Sequence, residues 1–365
     1  MASSQHTSIP TWTWIAPGLA GGLLTLKFAS IILADNSVVL VLAAALLGGA
    51  VFAAVHHAEV LALKLGEPFG SILLAVAVTV IEVGLIVSIM FSGQEGSASV
   101  ARDTIFSAVM IVLNGVVGLC LVVGGRRHFE QTFQLQGASS ALAVLGTLAT
   151  LALILPNYTL TTVGPSYSAV QLVLVGVLSL ALWCIFVFVQ TVRHRDYFLD
   201  APDDETDIAH EKPSDRVALS SLALLLVSLT AVVLLAKVLA YPLDKGIAAL
   251  GLPQAFVGVV IAAIVLLPES LSAAKSALLN RLQNSINLSI GSAIASIGLT
   301  IPTVAIVSLM LDQKLVLGIS PSGVTLLALT LVMSTLTLGT GRTTVLQGAV
   351  HLVIFAAFLL ISAVP

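Results

Sequence analysis

The sequence predicts an all-α polytopic membrane protein of about eleven transmembrane helices, and three observations predict it. Of 365 residues, 58% are hydrophobic and 9% charged. A soluble domain carries roughly 25% charged residues, so this chain could not cover its own surface. The apolar residues also fall in runs of about 18 or more, enough at roughly 1.5 Å per residue to cross a hydrocarbon core of about 30 Å. Finally, the runs are continuous rather than alternating, which selects helices over barrel strands.

Taken in order, the first helix is expected at 11–33, with Trp12 and Trp14 at a membrane edge, where interfacial aromatics sit. Met1 to Pro10 holds no Lys or Arg, whereas a secretory signal needs a basic start, so a retained helix is expected. A second helix covers 38–57 and ends on His56-His57, which are expected to be interfacial. Gly66-Glu67-Pro68 opens a third at 69–91, and Glu82 lies 14 residues after that proline. Helices at 104–124, 138–155 and 168–192 complete the first part, the fourth dotted with Ser107 and Asn114. The second part holds helices at 217–239, 253–275, 286–310, 322–338 and 345–363. Gly251-Leu252-Pro253 opens the eighth, Glu269 lies 16 residues after its proline, and the ninth carries Ser292 and Ser296. Cys120 and Cys184 each sit inside an apolar run without Cys or His spacing, and read as packing residues.

Between the parts, residues 193–216 hold eight of the chain's 18 carboxylates. The expected organisation is an N-terminal region with the first helix (1–36), a five-helix repeat (37–192), an acidic cytoplasmic linker (193–216) and a second five-helix repeat (217–365). Five-helix units starting on opposite sides of the membrane are inverted repeats, a common build of secondary transporters. Counting Lys and Arg by loop gives ten on the N-terminal side and four on the other. The N-terminus is therefore expected in the cytoplasm, and an odd helix count puts the C-terminus outside.

Only Glu82 and Glu269 lie well inside predicted spans. Glu82 stands about 21 Å along its helix from Pro68, near mid-core. An ionised carboxylate there costs at least a few kcal/mol, so it must be protonated, paired or cation-bound. No Lys or Arg occupies mid-membrane in a neighbouring span, apart from the peripheral Lys27, which leaves protons and metal ions. Protons and metal then compete for the same oxygens, and a site open alternately to each side would exchange one for the other. Hard cations favour oxygen ligands. Pro268 has no N–H and frees the carbonyl of Ile264 near Glu269, while Ser292, Ser296 and Thr300 offer hydroxyls. Asn114 reads as a ligand or as interhelical glue. His351, inside the last helix, is a candidate proton relay, and Asp103 and Glu67 fall at membrane edges.

Enzyme signatures such as HExxH, Walker or GxGxxG loops are missing, and so is a basic stripe for nucleic acid. No cofactor is expected. The partners are metal cations, protons and lipid.

At Glu82, at Glu269 and along Gly291-Ser292-Ala293-Ile294-Ala295-Ser296-Ile297-Gly298-Leu299-Thr300-Ile301-Pro302, the chain resembles the calcium/proton exchanger family. Within it, the chain is most similar to the bacterial ChaA-type branch of sodium-potassium/proton and calcium/proton antiporters. The resemblance extends over nearly the whole chain, including Leu65 to Ser71, Gly124-Gly125-Arg126 and Gly341-Arg342-Thr343. It implies eleven spans, an acidic cytoplasmic loop after the sixth, and one ion-carrying acid in each of two symmetry-related helices, here Glu82 and Glu269. The wider family's Gly-Asn-Ala-x-Glu is replaced by Val78-Thr79-Val80-Ile81-Glu82 and Val265-Leu266-Leu267-Pro268-Glu269, without either asparagine. Its Gly-Ser-Ala-Thr-Gln becomes Gly291-Ser292-Ala293-Ile294-Ala295. Fewer polar ligands leave room for Na+ or K+ beside Ca2+.

The expected function is export of Ca2+, and of Na+ or K+, in exchange for H+ across a bacterial inner membrane. The rival is a proton-gated cation channel or uniporter.

Overall fold

A computed structural model describes residues 10–29, 37–66, 69–91, 96–199 and 213–365. Glu67-Pro68, most of the acidic segment and residues 30–33 of the first expected helix lie outside the described residues. The order is α1 (Trp12–Phe28), α2 (Ser37–Leu65), α3 (Phe69–Met90), then α4 (Val100–Met110), a π-helical turn (Ile111–Val116) and α5 (Val117–His128), which run on as one span. The short strand β1 (Gln131–Thr132) leads to α6 (Leu135–Ala149), which ends in a π-helical turn and a 3-10 turn reaching Tyr158. Next come α7 (Ala169–Phe188) with its π-helical end (Val189–Arg193), α8 (Asp215–Ala249), α9 (Phe256–Leu278), α10 (Leu282–Met310), α11 (Pro321–Leu338), β2 (Arg342–Thr343) and α12 (Val345–Ala363). Ten helical segments among the described residues are long and apolar enough to cross a membrane, and the 17-residue α1 is the eleventh helix.

Two helices outrun their expected ends. α2 continues from residue 57 to Leu65 because Ala58 to Leu65 are all compatible with a helix. Glu59 and Lys64 interrupt apolarity, not helix formation, and Gly66, at φ 71°, stops the helix. His56 and His57 therefore stand inside α2 rather than at its end. His57 is fully buried, and its Nε2 lies 3.4 Å from the Thr13 carbonyl of α1. α8 runs through Pro242 to Ala249 instead of ending at 239. Lys245 places its ammonium 4.3 Å from the centre of the Tyr241 ring one turn earlier, which supports the extension.

Packing divides the chain into two compact units, residues 1–92 with 203–245, and residues 93–202 with 246–365. In the first, α1 packs on α2 and α2 on α3, and Gly84 of α3 gives room to Val233 of α8. In the second, α5 packs on α12, α10 on α6, α7 and α9, and α4 on α9. Glycine makes two of these crossings close. A Cβ on Gly348 would stand 2.8 Å from the Gly118 carbonyl, and one on Gly298 2.6 Å from Cβ of Trp183. The loops of this unit join in two places. β1 pairs antiparallel with β2. Elsewhere Val316 N–H donates to the Ala98 carbonyl, Leu317 N–H to Pro165 and Ile319 N–H to Leu153.

Candidate functional site

Glu269 belongs to the second unit. Gly258, Ile261, Ala262, Val265, Leu266, Pro268, Glu269 and Ala273 are buried at helical spacing, so α9 turns one stripe inward and carries the acid within it. Glu269 is 8% exposed. The Ser292 hydroxyl of α10 donates to its Oε2 at 2.5 Å. α9 passes through Pro268 without a break, and the missing proline N–H leaves the Ile264 carbonyl without its helical donor.

α10 meets this stripe with one of its own. Ser285, Ser289, Ser292, Ser296 and Thr300 recur at intervals of three and four, along one helix face. Ser285 Oγ donates to the Ala273 carbonyl of α9 at 2.7 Å, and Ser289 Oγ to the Ser285 carbonyl at 2.7 Å. The Thr300 hydroxyl is fully buried and has no hydrogen-bond partner among the described residues. The sequence reading named Ser292, Ser296 and Thr300 but passed over Ser285 and Ser289, although their spacing continues the same row.

Glu82 belongs to the first unit. It is 4% exposed on α3, flanked by the buried Ile81, Leu85 and Ile86. The nearby hydroxyls of α3 bond to their own helix, and that of Ser88 also lies 3.4 Å from the Val233 carbonyl of α8. Thr79 Oγ1 donates to the Ala75 carbonyl at 2.9 Å, and Ser88 Oγ to Gly84 at 2.6 Å.

Two other sequence candidates meet each other rather than an acid. His351 Nδ1 lies 3.1 Å from Asn114 Oδ1, and Asn114 Nδ2 donates to Thr330 Oγ1 at 2.9 Å. Ser107 donates to the Asp103 carbonyl one turn back at 2.6 Å. Asp103 is held by Arg102 Nε at 2.7 Å and by the Ser99 hydroxyl. Among the described residues, no group of three or more His, Cys, Asp or Glu side chains gathers as a metal cage. The oxygen placed on the Glu269 carboxylate is the Ser292 hydroxyl, an oxygen donor of the kind hard cations take.

Membrane-spanning helices with carboxylates buried inside them make this a polytopic membrane protein with acids in its spans. The comparisons place it more closely. The model of the sodium/calcium exchanger protein family matches residues 36–192 and 220–364, and the chain belongs to that family. It is 59% identical over 363 residues to a Sinorhizobium fredii protein with the provisional name ionic transporter y4hA, covering 99% of this chain and 98% of that one. It is 36% identical over 312 residues to the sodium-potassium/proton antiporter ChaA of Escherichia coli, covering 85% of this chain and 84% of that one. The crystal structure of the Ca2+/H+ antiporter protein YfkE shares the fold at a TM-score of 0.72 and 15% identity, over 97% of this chain and 99% of that one.

Proposed function

We propose that this protein exports a cation, Ca2+ or the monovalent Na+ or K+, in exchange for protons, and that Glu82 and Glu269 carry both. One observation carries the reading: a carboxylate buried in α9 accepts a short hydrogen bond from a hydroxyl row on α10. Such an acid is held protonated, paired or cation-bound, and a proton and a cation bind through the same oxygens. Ser292, Ser296, Thr300 and the Ile264 carbonyl are the supporting ligands on the second unit, with Ser107 on α4. The names of ChaA, a sodium-potassium/proton antiporter, and YfkE, a Ca2+/H+ antiporter, support the same chemistry.

The exchange proceeds by alternating access between two inverted five-helix repeats, α2 to α7 and α8 to α12. The packing of the second unit supports this. Swapping the halves converts the α5–α12 contact into the α10–α7 contact. It likewise converts the β1–β2 pairing into the pairing of 317–319 with Leu153 and Pro165. The Lys and Arg count supports a cytoplasmic N-terminus and an outer C-terminus in a bacterial inner membrane.

The test is uphill movement. In vesicles given only a pH gradient, an antiporter accumulates cation against its own gradient, whereas a channel merely dissipates one. Uptake that never exceeds the cation's electrochemical equilibrium, in protein that conducts, would overturn the proposal.

A further inference from the structure

His351 is fully buried on α12, and its hydrogen-bond partners are all neutral. Asn114 Oδ1 can only accept, so Nδ1 of His351 carries the hydrogen. Nε2 then accepts from the Thr337 hydroxyl of α11 at 3.1 Å. Asn114 passes the chain on from Nδ2 to Thr330 Oγ1 at 2.9 Å, and Thr330 Oγ1 donates to the Met110 sulfur at 3.4 Å. Each of these contacts has one donor and one acceptor, without a charge.

Asn114 stands in the π-helical turn Ile111–Val116. Such a turn takes one residue more than an α-turn, and so rotates one half of a helix against the other by about 100°. The span needs that rotation. At its α4 end, Gly258 of α9 packs on Asp103 and Thr104, where a Cβ would meet Thr104 N at 2.7 Å. At its α5 end, a Cβ on Gly118 would meet Cβ of His351 at 2.9 Å. In an unbroken α-helix, Thr104 and Gly118 would lie within about 40° of one azimuth. The extra residue sets them about 140° apart, one toward α9 and the other toward α12. A π-turn forms weaker backbone bonds than an α-turn, so something outside the helix must hold it, and the Asn114 side chain is bonded from both α11 and α12.

We propose that His351 is a positioning residue and not a proton carrier: through Asn114 it holds the π-turn that presents α4 to α9, the helix that carries Glu269. This rests on the proposed exchange site, but the device itself can be tested separately.

Four variants decide it: His351→Gln, which keeps hydrogen-bonding capacity without titrating, His351→Leu, Asn114→Leu and the near-isosteric Thr337→Val. Hydrogen exchange of the 111–116 amides reads the turn whatever ion is carried. Protection should persist in His351→Gln and fall in His351→Leu and Asn114→Leu. In proton-driven exchange, His351→Leu should weaken apparent cation affinity by about 10- to 100-fold, the usual effect of losing an outer-shell partner. His351→Gln should restore that affinity with the wild-type pH profile. Should His351→Leu not insert, Thr337→Val, which removes one hydroxyl from the chain, should show the same weakening in smaller degree. A shifted pH profile or lost proton coupling in His351→Gln would overturn the inference, as would wild-type affinity and protection in the Leu variants or in Thr337→Val. If the protection pattern holds while Glu269→Gln still exchanges, the positioning role stands and the exchange site is elsewhere.

Discussion

Ser292 and Glu269 stand 23 residues apart on adjacent helices, and one short hydrogen bond joins them. The hydroxyl orients the carboxylate without supplying charge, so losing it should cost affinity rather than fold. Ser292→Ala is expected to weaken apparent cation affinity by about 10- to 100-fold at unchanged expression; an affinity equal to wild type would remove Ser292 from the site. The acids should behave differently. Glutamine has the shape of glutamate but neither the charge to hold a cation nor a proton to release. Glu82→Gln and Glu269→Gln should each insert normally and fall to background exchange, and wild-type exchange by either would end the two-acid reading. Both acids were legible in the sequence because each is an isolated carboxylate inside an apolar run. The pairing of Asn114 with His351 was not: the two are 237 residues apart, and only the crossing of α12 on α5 brings them together. The start of the hydroxyl row was not legible: Ser285 falls before the helix expected at 286–310, and its bond to the Ala273 carbonyl of α9 follows only from the packing of α10 on α9.

Among the elements, apolar runs located every helix, and the errors sit where helix formation and apolarity part company. α2 and α8 continue past charged residues that a membrane-length reading takes for ends. The π-turn at 111–116 leaves no mark in composition, since its residues are as apolar as those of an α-turn. The crossing of α5 and α12 depends on backbone contact, and it is testable. A Cβ on Gly348 would stand 2.7 Å from Val122 N and 2.8 Å from the Gly118 carbonyl, and backbone cannot step aside as a side-chain tip can. Gly348→Ala should destabilise the protein by about 1–3 kcal/mol, the usual cost of overpacking, lowering the unfolding midpoint in detergent. An unchanged midpoint would show that the helices separate freely there. The polar segment 193–216 makes the opposite case. Its carboxylates fall between the apolar runs of the sequence, so replacing them with Ser and Asn should leave maximal exchange largely intact and at most shift the cation level at which transport begins. Complete loss in correctly inserted protein would make the segment part of the transport path.

On the scale of the whole molecule, each compact unit takes helices from both halves of the chain, and each holds one acid: α3 with Glu82 in the first, α9 with Glu269 in the second. The sequence showed two halves but not this interleaving, because units are set by packing between helices far apart in the chain. In the proposed exchange site, the two acids also set the stoichiometry it can reach. A cation binds only where protons have left, so its apparent affinity must strengthen as pH rises. The gain should level off once both carboxylates are ionised in the empty site, because no further proton then competes. Two acids release up to two protons per cation. Exchange of Ca2+ for two protons is then electroneutral and indifferent to membrane potential, whereas exchange of Na+ or K+ for two protons moves one net charge. At about 2.3 kcal/mol per charge per 100 mV, that difference is large enough to identify the physiological cation. The measurement is apparent affinity for Ca2+, Na+ and K+ between about pH 6 and 9, within the range where perturbed carboxylates titrate, with the potential clamped at zero and then imposed. Affinity independent of pH, in protein that still transports, would exclude direct competition at Glu82 and Glu269 over that window. Calcium exchange that follows the imposed potential would mean that the protons released do not balance its charge.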